Sequence, residues 1–138
     1  MCAVYPMPDS EKQIDILILD DDRDLLTSIA ELLTDCGYKV KGFTDPESAL
    51  EYALSHRFLV GVFDYRLGPG KDGLDVVEVM RRLGIKSAFV MVTADVEQAT
   101  RLRALSLKLF DYLRKPVQPD LLLETVELAM LHARKRAA

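Results

Sequence analysis

The sequence predicts an α/β fold of five strands alternating with five helices, a (βα)5 doubly wound parallel sheet. Three observations predict it. Short apolar runs of strand length recur along the chain, at 14–19, 58–64 and 87–93. Segments with helical apolar spacing lie between them. Strict alternation of this kind puts helices on both faces of a parallel sheet. The size agrees, since 138 residues make one domain with a real core.

Residues 1–12 read as a leader and 13–132 as the domain, followed by a basic tail at 133–138. IDILIL (14–19) is almost continuously apolar, as befits a strand covered on both faces. Leu25, Leu26, Ile29, Leu32, Leu33 and Cys36 then recur on one helical face, which assigns Cys36 to the core, and Gly37 stops the helix. YKVKGF (38–43) alternates and is shorter, a strand nearer an edge. Asp45-Pro46-Glu47 is a helix start with an N-cap carboxylate and proline at the first helical position, and the helix runs to about Ser55.

FLVGVFD (58–64) is the third strand, followed by the loop LGPGKDG (67–73). A helix over 73–83 turns Val76, Val77, Met80 and Leu83 inward. SAFVMVT (87–93) is the fourth strand, and Asp95 with Gln98 forms a capping box for a helix over 95–106. LKLFDYL (107–113) holds the fifth strand. The last helix starts at Gln118-Pro119, carries Leu122, Val126, Ala129 and Met130 on one face, and ends in a basic HARKR run suited to a helix C-terminus.

Composition narrows the function. A net charge of −4 argues against direct nucleic-acid binding. No stretch approaches the roughly 20 apolar residues of a membrane span. The N-terminus lacks the pattern of a signal peptide. Two cysteines without CxxC spacing suit a reducing, cytoplasmic setting.

In doubly wound sheets ligands bind at the carboxyl ends of the strands. Strand one ends at Asp20-Asp21, strand three at Asp64, strand four at Thr93, and strand five near Lys115-Pro116. Adjacent carboxylates repel, so Asp20 and Asp21 make sense if they share a cation. Carboxylates, a backbone carbonyl and water suit Mg²⁺, and the absence of nearby His or thiol argues against zinc. A carboxylate beside Mg²⁺ can attack phosphorus and become an acyl phosphate, with a lysine and a hydroxyl to hold the phosphoryl oxygens. Asp22 is read as the cap or first turn of the next helix.

The motifs ILILDDDRDLL, VGVFDYRL…DGLDV, FVMVTAD and FDYLRKPVQPDLL resemble the receiver domain of bacterial two-component response regulators over about residues 14–130. That resemblance implies a flavodoxin-like sheet of order 2-1-3-4-5. It implies that Asp64 is the phosphoacceptor in a phosphorelay and that Asp20, Asp21, Asp64 and the Arg66 backbone carbonyl hold Mg²⁺. Thr93 and Lys115 would hold the phosphoryl group. Tyr112 would be the switch aromatic, and Pro116 would follow a cis Lys115-Pro116 bond. The donor would be a histidine kinase or histidine phosphotransfer protein. The protein would be a switch rather than an enzyme, using Mg²⁺ in its own phosphorylation and losing the phosphoryl group slowly. The surface of helix four, strand five and helix five would change. The protein would be a monomer or a weak homodimer through that surface; from the residues themselves, Arg101, Arg103 and Asp111 could support such a dimer, and simple solvation is the other reading of these charges.

Some residues depart from the family pattern. The stretch Asp64-Tyr-Arg-Leu-Gly-Pro69-Gly-Lys-Asp72-Gly73 carries one extra residue. Ser106-Leu107-Lys108 replaces the usual Gly-Ala before strand five. Arg66 and Asp95 are oppositely charged and are expected to face each other over the site, slowing autodephosphorylation. The D-Y-R-L segment and the lysine-proline ending resemble receivers of hybrid histidine kinases; a stand-alone regulator is the other expectation. Two alternatives remain at this point. One is a haloacid-dehalogenase-like phosphatase with Asp20 as nucleophile, based on Asp20-Asp21-Asp22, although no later acid pair or capping module supports it. The other is a degenerate receiver that acts by binding only.

Overall fold

The computed structural model describes residues 12–94 and 98–137. Along the chain come β1 (Gln13–Leu19), α1 (Arg23–Asp35), β2 (Val40–Phe43), α2 (Pro46–Ser55), β3 (Arg57–Asp64) and α3 (Gly73–Arg82). Then follow β4 (Ala88–Thr93), α4 (Gln98–Ser106), β5 (Asp111–Arg114) and α5 (Pro119–Ala137). The five strands form one parallel sheet of order β2-β1-β3-β4-β5, the flavodoxin-like arrangement. The crossover lies between β1 and β3, so their carboxyl ends stand side by side at the point where ligands bind in such sheets.

The apolar runs stay continuous because both sheet faces are covered. Side chains alternate across a strand. Ile16 and Ile18 of β1 therefore join Val90 and Val92 of β4 on one face, packed under Ile29 and Leu33 of α1 and Leu122, Val126 and Met130 of α5. Leu17 and Leu19 join Phe89 and Met91 on the other face, under Ala49 of α2, Leu74, Val77 and Met80 of α3 and Ala104 of α4.

Asp45 caps α2 as expected and Asp72 caps α3, while the Asp95 of the expected capping box for α4 lies outside the described residues. Asp45 accepts from the Ser48 N–H at 2.8 Å, and Asp72 accepts from the Asp75 N–H at 2.7 Å. Two residues assigned inward by periodicity stand outside. Cys36 is exposed, because it caps the C-terminus of α1 beyond Leu33, its N–H bonded to the Leu33 carbonyl. Leu83 is likewise the C-cap of α3 and is 52% exposed. A helical stripe stops being buried where the helix leaves the sheet.

The fifth strand also differs. Only Asp111–Arg114 pairs with β4, while Lys108 takes a left-handed φ of 57°. The cause lies in α3. Arg81 donates to the carbonyls of Ile85 and Ser87 at 2.9 Å, of Leu107 at 3.1 Å and of Lys108 at 3.3 Å. Its guanidinium carbon also sits 4.8 Å from the Phe89 ring centroid. One arginine thus gathers the loops entering β4 and β5, and the Ser106-Leu107-Lys108 turn is shaped around it. The basic run at the chain's end belongs to α5, which continues to Ala137 with Ala133 buried.

Candidate functional site: an acidic pocket at the carboxyl ends of the strands

The three adjacent acids after β1 have three different jobs. Asp20 is only 2% exposed and accepts the Asp22 N–H at 2.9 Å. Asp21 is exposed. Asp22 is the N-cap of α1, accepting from the N–H groups of Asp24 and Leu25. The Asp20/Asp22 pairing needed by a phosphatase is therefore not presented to one site.

Asp64 ends β3 and is buried. One carboxylate oxygen from each of Asp20, Asp21 and Asp64 lies within 4.8 Å of the others. Lys115 enters from the end of β5, its ammonium 3.2 Å from Asp64 and 3.8 Å from Asp20. Its backbone N–H donates to the Thr93 carbonyl at 2.8 Å, which ties the lysine's strand end to the threonine's. The Lys115-Pro116 peptide is cis.

Three carboxylates against one ammonium leave the pocket short of positive charge. Burial, the largest influence, pushes the Asp20 carboxyl up to about 6, with Asp64 adding to the rise. The Asp22 N–H and Lys115 oppose it. Asp64 is raised too, chiefly by burial, against the pull of Lys115 and the Arg66 N–H. A hard divalent cation with oxygen ligands would relieve this imbalance, so the residues present fit Mg²⁺. The trio is the acidic cluster typical of a receiver Mg²⁺ site.

The loop after Asp64 is built around a close approach. Tyr65 N–H bonds to the Val92 carbonyl at 2.8 Å, and Gly73 N–H bonds back to the Tyr65 carbonyl at 2.7 Å. A Cβ on Gly73 would collide with the Asp64 carbonyl oxygen, so only glycine lets α3 start there. Arg66 and Asp72 form an isolated antiparallel bridge. The bonds closing it run from Gly73 to Tyr65 and from Leu67 to Lys71, so neither uses the Arg66 carbonyl. The extra loop residue does not close the site. Lys71 leans on Glu47 of α2 at 2.8 Å, and a space of about 590 Å³ opens beside Asp21, Arg66 and Asp72.

Thr93 is buried at the end of β4, one residue beyond the Asp64–Val92 pairing. Tyr112 is 42% exposed and lines a small crevice with Thr93, Thr100 and Ala104. The Arg66 side chain is exposed; Asp95 lies outside the described residues, so their facing is not placed. Arg101 is exposed, as is Asp111, but Arg103 is turned onto α3, where it pairs with Asp72, Asp75 and Glu78. The sequence reading missed that cluster and the role of Arg81. Only the spacing of Asp72, Asp75 and Glu78 on one helical face hinted at a missing cation.

Among the described residues no helix is long and apolar enough to cross a membrane. The chain is 30% identical to the transcriptional regulatory protein DltR of Streptococcus agalactiae over 82% of its own length and 50% of that protein's. It is 29% identical to the phosphoglycerate transport system transcriptional regulatory protein PgtA of Salmonella typhimurium over 86% of this chain and 28% of that one. It thus spans about half the length of the first relative and less of the second. A CheY-like response regulator receiver domain protein from Methanospirillum hungatei superposes with a TM-score of 0.82 at 28% identity, covering 91% of this chain and 98% of that one. The family model for the response regulator receiver domain matches residues 16–127, the span that carries every strand end of the acidic pocket. The fold, the pocket and this match agree: the chain belongs to the response regulator receiver domain family.

Proposed function

We propose that Asp64 accepts a phosphoryl group from a histidine kinase or histidine phosphotransfer protein. Receiver domains partner with histidine kinases and are typically signalling switches rather than catalysts. The observation that carries the reading is the buried Asp64 carboxylate, grouped with those of Asp20 and Asp21 and held 3.2 Å from the Lys115 ammonium.

In the transfer, an Asp64 oxygen bonds to phosphorus as the phosphorus–nitrogen bond of the donor phosphohistidine breaks. The imidazole leaves and takes a proton. Asp20, Asp21, Asp64 and the Arg66 carbonyl would hold Mg²⁺, which supplies charge neutralisation at the phosphoryl oxygens when bound. Lys115 neutralises a second side of the phosphoryl group, and the Thr93 hydroxyl donates to one of its oxygens. Phosphorylation adds a charge of about −1.5 to −2, which draws Thr93 and then Tyr112 toward the site. Pro116 orients the loop that carries Lys115. Arg66 and Asp95 tune access of the hydrolysing water, giving slow autodephosphorylation. The outcome is a cytoplasmic switch presenting α4, β5 and α5 to its partners, as a monomer or a weak homodimer.

Intact-protein mass after incubation with acetyl phosphate tests this. Wild type should gain one alkali-labile phosphoryl group only with Mg²⁺, and Asp64→Asn should gain none. A gain that survives in Asp64→Asn would move the nucleophile elsewhere. No gain in wild type would leave a receiver that acts by binding alone.

A further inference from the structure

Among the described side chains, the sheet holds α4 by little apolar contact. Ala104 is buried, but Leu102 is 62% exposed and Leu105 74%. Among the described residues, the Thr100 hydroxyl of α4 makes one long contact of 3.5 Å to the Tyr65 hydroxyl, and the charged side chain that reaches across is Arg103. Its guanidinium pairs with Asp72 at 3.3 Å, with Glu78 at 3.1 Å and with Asp75. A single exposed ion pair would add at most about 1 kcal/mol. This cluster differs in two respects. Three carboxylates on one face of α3 repel each other unless the arginine is there. The Asp72 side chain and that of Arg103 are also partly sheltered, at 23% and 33% exposure.

Asp72 connects the cluster to the pocket. It caps α3 through the Asp75 N–H and is the bridge partner of Arg66. The Arg66 N–H in turn bonds to the Asp64 carboxylate. A continuous path of contacts therefore runs from the acceptor through Arg66 and Asp72 to Arg103 and α4.

We infer that Arg103 is a positioning residue that couples α4 to the acceptor loop, so that cation binding in the acidic pocket and the placement of α4 influence one another. The inference rests on the Mg²⁺ reading given above. Coupling of this kind is reciprocal: whatever orders the loop steadies α4, and whatever frees α4 loosens the loop. Arg103 touches neither phosphorus nor metal and acts only through Asp72.

The test is amide hydrogen exchange across residues 98–106, with and without Mg²⁺, alongside calorimetric titration with Mg²⁺. In wild type, Mg²⁺ should slow exchange in α4. In Arg103→Gln, exchange in the metal-free protein should be about fivefold faster, Mg²⁺ should no longer slow it, and Mg²⁺ should bind about threefold more weakly. Arg103→Lys should recover part of each effect, since it restores the charge without the fork. Arg82→Gln removes another arginine from the same acidic face and should change neither. If Mg²⁺ slows α4 equally in wild type and Arg103→Gln, the coupling is overturned while the Mg²⁺ site stands. If wild type binds no Mg²⁺, both fall together.

Discussion

The two helices that flank the β5 edge are held by different forces. α5 runs for 19 residues and buries Leu122, Thr125, Val126, Ala129, Met130 and Ala133. α4 has 9 residues and, among those whose burial is described, buries Ala104. Apolar burial contributes about 25 cal/mol per Å² and depends little on salt. The charges that fasten α4 contribute far less and are screened. One flank of the acidic pocket is therefore fixed and the other adjustable, a division suited to a switch.

The sharpest way to break this comparison is to truncate each helix. Met130→Ala in α5 should cost about 2–5 kcal/mol of unfolding free energy in a urea titration. Ala104→Gly in α4 should cost about 1 kcal/mol. Equal losses would mean that α4 is anchored as firmly as α5.

A smaller effect isolates the charges between the flanks. Burial raises the Asp20 carboxyl from 3.8 to about 6, so the folded protein binds this proton more tightly than the unfolded chain. The corresponding stability is fully present below the unfolded value and is lost as pH rises through about 6. Metal-free protein should therefore gain a few degrees in Tm between pH 7 and pH 5.5. Asp45 and Glu47, both lowered by hydrogen bonding, titrate below that window and leave it undisturbed. Asp20→Asn should raise Tm at pH 7 and flatten the slope, leaving only the part carried by Asp64, which burial also raises. A flat profile in wild type would show that Asp20 is not strained.

Salt sharpens the contrast further. In 0.5 M NaCl, amide exchange in α4 should rise about twofold while α5 stays unchanged. The smallest effect belongs to Arg82, whose partner Glu78 lies one turn away on exposed surface. Arg82→Ala should shift stability by no more than about 0.5 kcal/mol.

Much of this was legible in the residues because the signals are local. A buried strand announces itself as an apolar run, and Asp45-Pro46-Glu47 announces a helix start within three positions. Each pocket residue stands at a strand end, so Asp20, Asp21, Asp64, Thr93 and Lys115 could be gathered from the fold alone. Periodicity failed at Cys36 and Leu83, where the stripe outran the sheet. The boundary of β5 was misplaced because Arg81, far away in sequence, shapes the turn before it.

The alternation, the parallel sheet and the set of groups on its rim are readable from the residues, since burial pattern and capping are encoded within a few residues of each element. How the three adjacent acids divide their work comes from the folded arrangement, with Asp20 buried, Asp21 open and Asp22 spent on a helix cap. The same arrangement sends Arg103 to α3 rather than to the α4–β5–α5 surface. The reason is physical: where a charge ends up depends on the carboxylates and the water around it in three dimensions, and those neighbours lie some 25 to 31 positions away along the chain.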